Sequence, residues 1–224
     1  MAKKQNMDER LNAIRAGVLG SNDGILTVVG VLFSVAAATP NRFTILLAGF
    51  ADLVACAFSM AGGEYASVSS QSDTEKAAVA LEEQNLKHDY QSQIESVSQH
   101  YVDRGVTQAT ATAIAEELLT KAPLATVVNV KYNIDLGHYM NPIEAAVASL
   151  VSAALAGLLP LIAMLFLPES LRFFGTIAVT ALTAGVIGYL SAKIGQGLVK
   201  RAIIRNIIIS LITIAIHYGI GLLF

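Results

Sequence analysis

The sequence predicts an all-α integral membrane protein with five transmembrane helices and a small helical cytosolic module between the second and third. Three observations predict it. Only 14% of the 224 residues are charged and 54% are hydrophobic, whereas a soluble domain carries about 25% charged residues. Five apolar stretches are each long enough to cross a bilayer, which takes about 20 residues. Half-way along, residues 67–141 hold most of the acids. The net charge of −2 excludes a nucleic-acid surface. The single cysteine, Cys56, excludes an internal disulfide.

The five spans are 14–38, 43–66, 143–167, 171–191 and 203–224. The first run contains Asp23 and follows a polar leader, so no cleavable signal is expected. Thr39-Pro40-Asn41-Arg42 and Leu167-Pro168-Glu169-Ser170 are tight turns, so spans one and two form one helical hairpin and spans three and four another. Asn141-Pro142-Ile143-Glu144 reads as a helix start, with Pro at the first helical position and an acid in the first turn. Domain bounds follow: 1–66 for the tail and spans one and two, 67–141 for the module, 142–224 for spans three to five.

Basic residues set the orientation. Lys3, Lys4, Arg10 and Arg15 precede span one, and Lys193, Lys200, Arg201 and Arg205 lie between spans four and five. The N-terminus and the module are therefore expected in the cytosol, with the C-terminus outside. A compact chain of this kind suggests a bacterial plasma membrane.

The module carries ten of the seventeen acids: Asp73, Glu75, Glu82, Glu83, Asp89, Glu95, Asp103, Glu116, Glu117 and Asp135. It has almost no strand signal. Gly105 and Pro123 divide it into short helices, and span two is expected to continue into it through Ser67–Leu86. Thr107 is expected to cap a helix whose apolar face carries Ala113, Ile114, Leu118 and Leu119.

An acid near the centre of a membrane helix costs about 2.5–3.5 kcal/mol on insertion scales, so intramembrane acids are functional by default. Asp23 in span one and Asp52 in span two are such acids. Asp52, Cys56, Met60 and Glu64 are each four residues apart. Steps of four advance about 40° around a helix, which lines them up on one face. Carboxylates alone suit hard cations; adding Met sulfur shifts the preference toward Fe²⁺, with Mn²⁺ also reachable. A lone Cys or Met is core filler by default, and His217 reads as a packed or interfacial histidine. Gly17, Gly20, Gly24 and Gly30 in span one, with Gly62 and Gly63 in span two, are expected to permit close helix approach.

Gly17-Val-Leu-Gly-Ser-Asn-Asp-Gly24, Ser59-Met60-Ala-Gly-Gly-Glu64-Tyr-Ala-Ser-Val-Ser-Ser-Gln71 and Asp73-Thr-Glu-Lys76 resemble motifs of the vacuolar iron transporter family, in particular its nodulin-like and bacterial members. The resemblance covers essentially the whole chain. It implies a homodimer in the lipid bilayer that moves Fe²⁺ or Mn²⁺ out of the cytosol in exchange for protons. The route it implies runs between the subunits, lined by spans one and two, with Asp23, Asp52 and Met60 as ligands. Where some members carry a further Asp two turns before Asp23, this chain has Ala16. Lys131 and Tyr132 stand where some members carry a Met pair, while Asp135 matches the acid that follows. The module's candidate metal ligands are Glu75, Glu82, Glu83, Glu95, Glu116, Glu117 and Asp135, with Glu64 at the mouth of the route.

The expected function is therefore metal-ion transport for iron and manganese homeostasis. It is not an enzyme activity, and no cofactor is expected beyond the transported ion. Two other classes stay open: a passive divalent-cation channel, and a non-transporting membrane metal sensor or scaffold.

Overall fold

The computed structural model describes the backbone from Met7 to Phe224 and the side chains from Leu11 onward. Lys3 and Lys4, used for the orientation, lie outside the described residues, as does the side chain of Arg10. Among the described residues the helices run in order: α1 Met7–Ala38, α2 Arg42–His88, α3 Tyr90–Val102, α4 Gln108–Lys121, α5 Pro123–Tyr132, α6 Pro142–Phe166, α7 Arg172–Ile194 and α8 Val199–Gly221. Five of them, α1, α2, α6, α7 and α8, are long and apolar enough to cross a membrane. At 47 residues, α2 is about 70 Å long, more than twice the hydrocarbon thickness. Only its first half is continuously apolar; the charged residues begin to crowd after Ala66.

The chain falls into two compact units. One comprises Arg10–Ala66 with Pro142–Phe224. Its core joins Val28, Val29, Leu32 and Phe33 of α1 to Ile45 and Leu53 of α2, Leu161 and Met164 of α6, and Ile214 of α8. Small residues let these helices approach closely. A Cβ on Gly24 would lie 2.3 Å from the Ala153 carbonyl oxygen, and one on Gly157 would lie 2.6 Å from the Gly24 carbonyl oxygen. Gly20 meets Ser149 and Ser152 in the same way. This small-residue seam locks α1 to α6 by backbone contact, the packing mode available where lipid removes the hydrophobic driving force. On α8, His217 packs onto Gly30 of α1, and Gly221 onto the Ser34 backbone. Arg42, at the start of α2, donates to the Leu165 carbonyl near the end of α6.

The exterior of this unit is apolar, unlike that of a soluble bundle, and a few polar side chains are buried beside its apolar core. Thr176, Thr180, Asn206 and Ser210 are buried, while Phe58, Leu155, Leu182, Ile212 and Ile216 point outward. Thr180 and Ser210 satisfy their hydroxyls by donating to the carbonyls of Thr176 and Asn206, one turn earlier. Large apolar side chains outside and small or self-satisfied polar ones inside suit a lipid environment.

The second unit comprises Ser67–Asn141 among residues with described side chains. Its core is Val97 of α3, Ala115 and Leu119 of α4 and Val127 of α5, flanked by Leu86, Ile94, Tyr101 and Val130. Asp89 caps α3, accepting from the Ser92 amide at 3.0 Å. Gly105, at φ +93°, makes the left-handed turn before α4. Pro123 occupies the first turn of α5, where its missing N–H costs nothing.

Several local expectations need correcting. Thr107 precedes α4 but makes no cap hydrogen bond; its hydroxyl donates to Thr110 Oγ1 instead. The buried face of α4 is Ala111, Ala115 and Leu119, and Ala113 is exposed. Of the expected face Leu119 is buried and Ile114 and Leu118 are half-buried, so the stripe is shifted only at Ala113, whose place is taken by Ala111 and Ala115. Gly62 and Gly63 do not mediate close approach within the chain: a Cβ on either meets nothing within 4 Å among the described residues.

Candidate functional site

Along α2, Asp52 and Met60 are half-buried and Cys56 and Glu64 are buried, whereas Val54, Ala55, Phe58, Ser59, Gly62 and Gly63 are exposed. The i, i+4 row therefore faces inward, toward α1. Asp23 of α1 meets it: the Cys56 thiol donates to Asp23 Oδ2 at 3.4 Å. Thr27, one turn after Asp23, faces both Asp52 and Cys56. Yet Thr27 Oγ1 and Asp52 Oδ2 are both buried with no hydrogen-bond partner of normal geometry. Asp23 and His217 both act electrostatically on Asp52. Asp23 and Asp52 thus lie in the apolar part of α1 and α2 with Cys56 bonded to Asp23, and one Asp52 oxygen is unsatisfied. A buried acceptor left without a partner is costly, and Asp52 Oδ2 is such an acceptor.

Glu64, three turns along α2 from Asp52, is 5% exposed. Its Oε2 accepts from the Arg15 guanidinium at 2.9 Å. Arg15 also reaches Asn12 Oδ1, at 3.0 and 3.3 Å. In the sequence Arg15 stands out only as a topology signal. Its pairing with Glu64 spans 49 residues, and no local pattern reports such a pair.

In the second unit the candidate acids separate into four kinds. Glu82 is 2% exposed and fully engaged. Its Oε2 accepts from Lys131 Nζ at 2.9 Å and Asn85 Nδ2 at 3.2 Å, and its Oε1 from the Tyr132 hydroxyl at 2.8 Å. Lys131 also donates to Gln93 Oε1 at 2.7 Å, so this knot ties α2, α3 and α5. Burial alone would push the Glu82 carboxyl up; the donors Lys131, Tyr132 and Asn85 outweigh it and hold the carboxyl below its ordinary value. Accepting from Tyr132 in this way, Glu82 pushes the phenol up. Glu83 and Glu117 form exposed i, i+4 pairs with Lys87 and Lys121. Glu95 and Glu116 are exposed on their helices. Glu75 and Asp135 line one cavity of about 550 Å³ with Tyr132, His138 and Met140, and Glu75 accepts from Gln71 Nε2 at 3.0 Å. Among the described residues no three His, Cys, Asp or Glu side chains stand close enough to cage a metal ion.

The family model described as "VIT family" matches residues 14–222. A protein of Acanthamoeba castellanii called "Vacuolar iron transporter" is 31% identical, over 94% of this chain and 78% of that protein. "Vacuolar iron transporter homolog 1" of Oryza sativa subsp. japonica is 32% identical, over 98% and 77%. "Vacuolar iron transporter homolog 3" of Arabidopsis thaliana is 28% identical, over 97% and 86%. With the motif blocks, the five apolar helices and the matched length in agreement, the chain belongs to the VIT family.

Proposed function

We infer that this protein is a metal-ion transporter, carrying Fe²⁺ or Mn²⁺ out of the cytosol in exchange for protons. One observation carries the inference: Asp23 and Asp52 stand on facing membrane helices, Asp23 bonded to Cys56 one turn along from Asp52, with a buried Asp52 oxygen that has no partner. The names of the relatives, iron transporters, supply the chemical class. Met60 and Glu64 continue the row of donors along the inward face of α2. Carboxylate ligands must be deprotonated to bind metal, so protons arriving from the far side release it and the two flows are coupled.

Among the described residues one chain offers no group of three His, Cys, Asp or Glu side chains that could hold a metal ion. The exposed face of α2, with Gly62 and Gly63 open to the surroundings, supports a homodimer that completes the set from two copies. The bias of Arg15, Lys193, Lys200, Arg201 and Arg205 supports an N-terminus and a 67–141 module in the cytosol, with the C-terminus outside. The module's Glu75, Glu83, Glu95, Glu116, Glu117 and Asp135 gather cations near the membrane. The relatives carry a vacuolar name, so a bacterial plasma membrane rests on the compact chain alone.

Reconstitution into vesicles tests this reading. Fe²⁺ or Mn²⁺ flux is expected, driven by a pH gradient and accompanied by proton counter-flow. Undiminished flux in Asp23→Ala would remove the assignment. Flux that neither moves protons nor responds to the gradient would make the protein a passive channel. Metal binding without flux would make it a sensor or scaffold.

A further inference from the structure

Among the described residues two glutamates are buried, Glu64 and Glu82, and each is paired to a basic side chain from another helix. The two pairs differ in how readily the base can leave. Lys131 is 23% exposed in its side chain and divided between Glu82 and Gln93, while Glu82 accepts from two further donors. That ammonium is built in. The Arg15 side chain is 55% exposed. It holds Glu64 through one nitrogen and one oxygen, and a second acceptor, Asn12, is already within reach.

We propose that Arg15 is a displaceable latch on Glu64: the guanidinium occupies the carboxylate when no metal is present, and a divalent cation must take its place to reach the inward row. The proposal rests on the transport reading above and names the residue that guards one end of the route. Three features of the site support it. Arginine does not deprotonate, so only another cation, and not a change of pH at the arginine, can release the carboxylate from it. Glu64 cannot stand alone, because an unpaired buried charge is strongly destabilising. A metal ion therefore replaces the guanidinium rather than joining a vacant group. Arg15 loses little on leaving, since it is half in solvent and keeps Asn12. Glu64 lies one turn from Met60, so a cation bound there stands next to the first sulfur donor of the row.

The latch is tested on the wild-type protein in lipid vesicles, with Mn²⁺ as the probe. Arginine modification by phenylglyoxal, read at Arg15 by peptide mass spectrometry, should rise when Mn²⁺ saturates the protein. In Glu64→Gln it should already be high and indifferent to Mn²⁺. For flux, Arg15→Gln should lower the Mn²⁺ concentration at half-maximal rate by about tenfold, as expected if the latch leaves the carboxylate open about a tenth of the time. The gain should vanish in the Arg15→Gln, Glu64→Gln double variant. Wild-type Arg15 labelling that is unchanged or reduced by Mn²⁺ overturns the latch, as does a gain that persists without Glu64. Labelling is read on unmutated protein, so a variant that fails to fold does not blunt the test. The two readings fail separately: no Mn²⁺ flux strikes transport, whereas flux with Mn²⁺-indifferent Arg15 strikes only the latch.

Discussion

The Cys56 thiol donates to Asp23 Oδ2 at 3.4 Å, joining α1 and α2 where both are apolar. This contact makes Asp23 the acid through which the two helices communicate. Asp23→Ala removes a carboxylate that neither Ala16 nor any other acid of the apolar part of α1 can replace. Metal flux into vesicles is expected to fall to the protein-free level. Asp23→Asn keeps the shape and the contact to Cys56 but not the charge, and is expected to fail equally. An Asn variant with substantial flux would assign Asp23 to helix bracing.

Cys56→Ser is a finer probe of the same contact. The hydroxyl still donates to Asp23 but is a harder ligand than a thiol. Flux is expected to persist, with the ratio of Fe²⁺ to Mn²⁺ rates lowered severalfold. Equal losses for both metals would make Cys56 a packing residue, the default for a buried cysteine.

The membrane helices were legible because length and apolarity alone report a span. The row at 52, 56, 60 and 64 was legible because steps of four map directly onto one helix face. What lies across from that row was not. Arg15 with Glu64 and Lys131 with Glu82 each join residues 49 positions apart, and a single sequence carries no periodicity at that range. The glycines illustrate the same limit. Their small size announces close contact but not the partner: Gly20 and Gly24 meet α6, Gly30 meets His217, and Gly62 and Gly63 meet nothing among the described residues.

The α1–α6 seam predicts a stability effect without chemistry. A methyl on Gly24 would sit 2.3 Å from the Ala153 carbonyl oxygen, a backbone atom that cannot rotate away. Gly24→Ala is expected to cost about 1–3 kcal/mol, the range for overpacking, read as a lower thermal midpoint in detergent. An unchanged midpoint would mean that the two helices separate freely there.

The Glu82–Lys131 knot predicts an acid limit for the second unit. The folded carboxyl lies below its ordinary value of 4.5 despite burial, because Lys131, Tyr132 and Asn85 all donate to it. A depressed carboxyl contributes stability that is complete above the unfolded value and is lost as pH falls through the folded one. Helix content reported by α3–α5 should therefore hold down to about pH 4.5 and decline below it. Lys131→Ala leaves Glu82 buried and uncompensated, and is expected to cost about 3–5 kcal/mol at neutral pH. Its stability should improve on acidification as Glu82 protonates, the reverse of wild type. Parallel acid profiles for the two proteins would show that the knot does not control the unit.

The open face of α2 separates a single-chain route from a shared one. Among the described residues of one chain a Cβ on Gly63 meets nothing within 4 Å. Replacing a helical glycine by alanine should then be neutral or stabilising, by up to about 1 kcal/mol. A larger residue such as leucine should also be tolerated by the isolated chain, since outward-facing leucines already cover much of the membrane unit. If two copies pack through this face, the outcome reverses. Gly63→Leu would hold the α2 helices apart, dissociate the dimer and abolish flux, while the chain keeps its fold. Light scattering in detergent, together with vesicle flux, reads both effects. Joint loss of the dimer and of transport, with an unchanged thermal midpoint, is the expected result. Retention of both would place the complete ion route inside one copy, with Asp23, Asp52 and Met60 sufficient to line it.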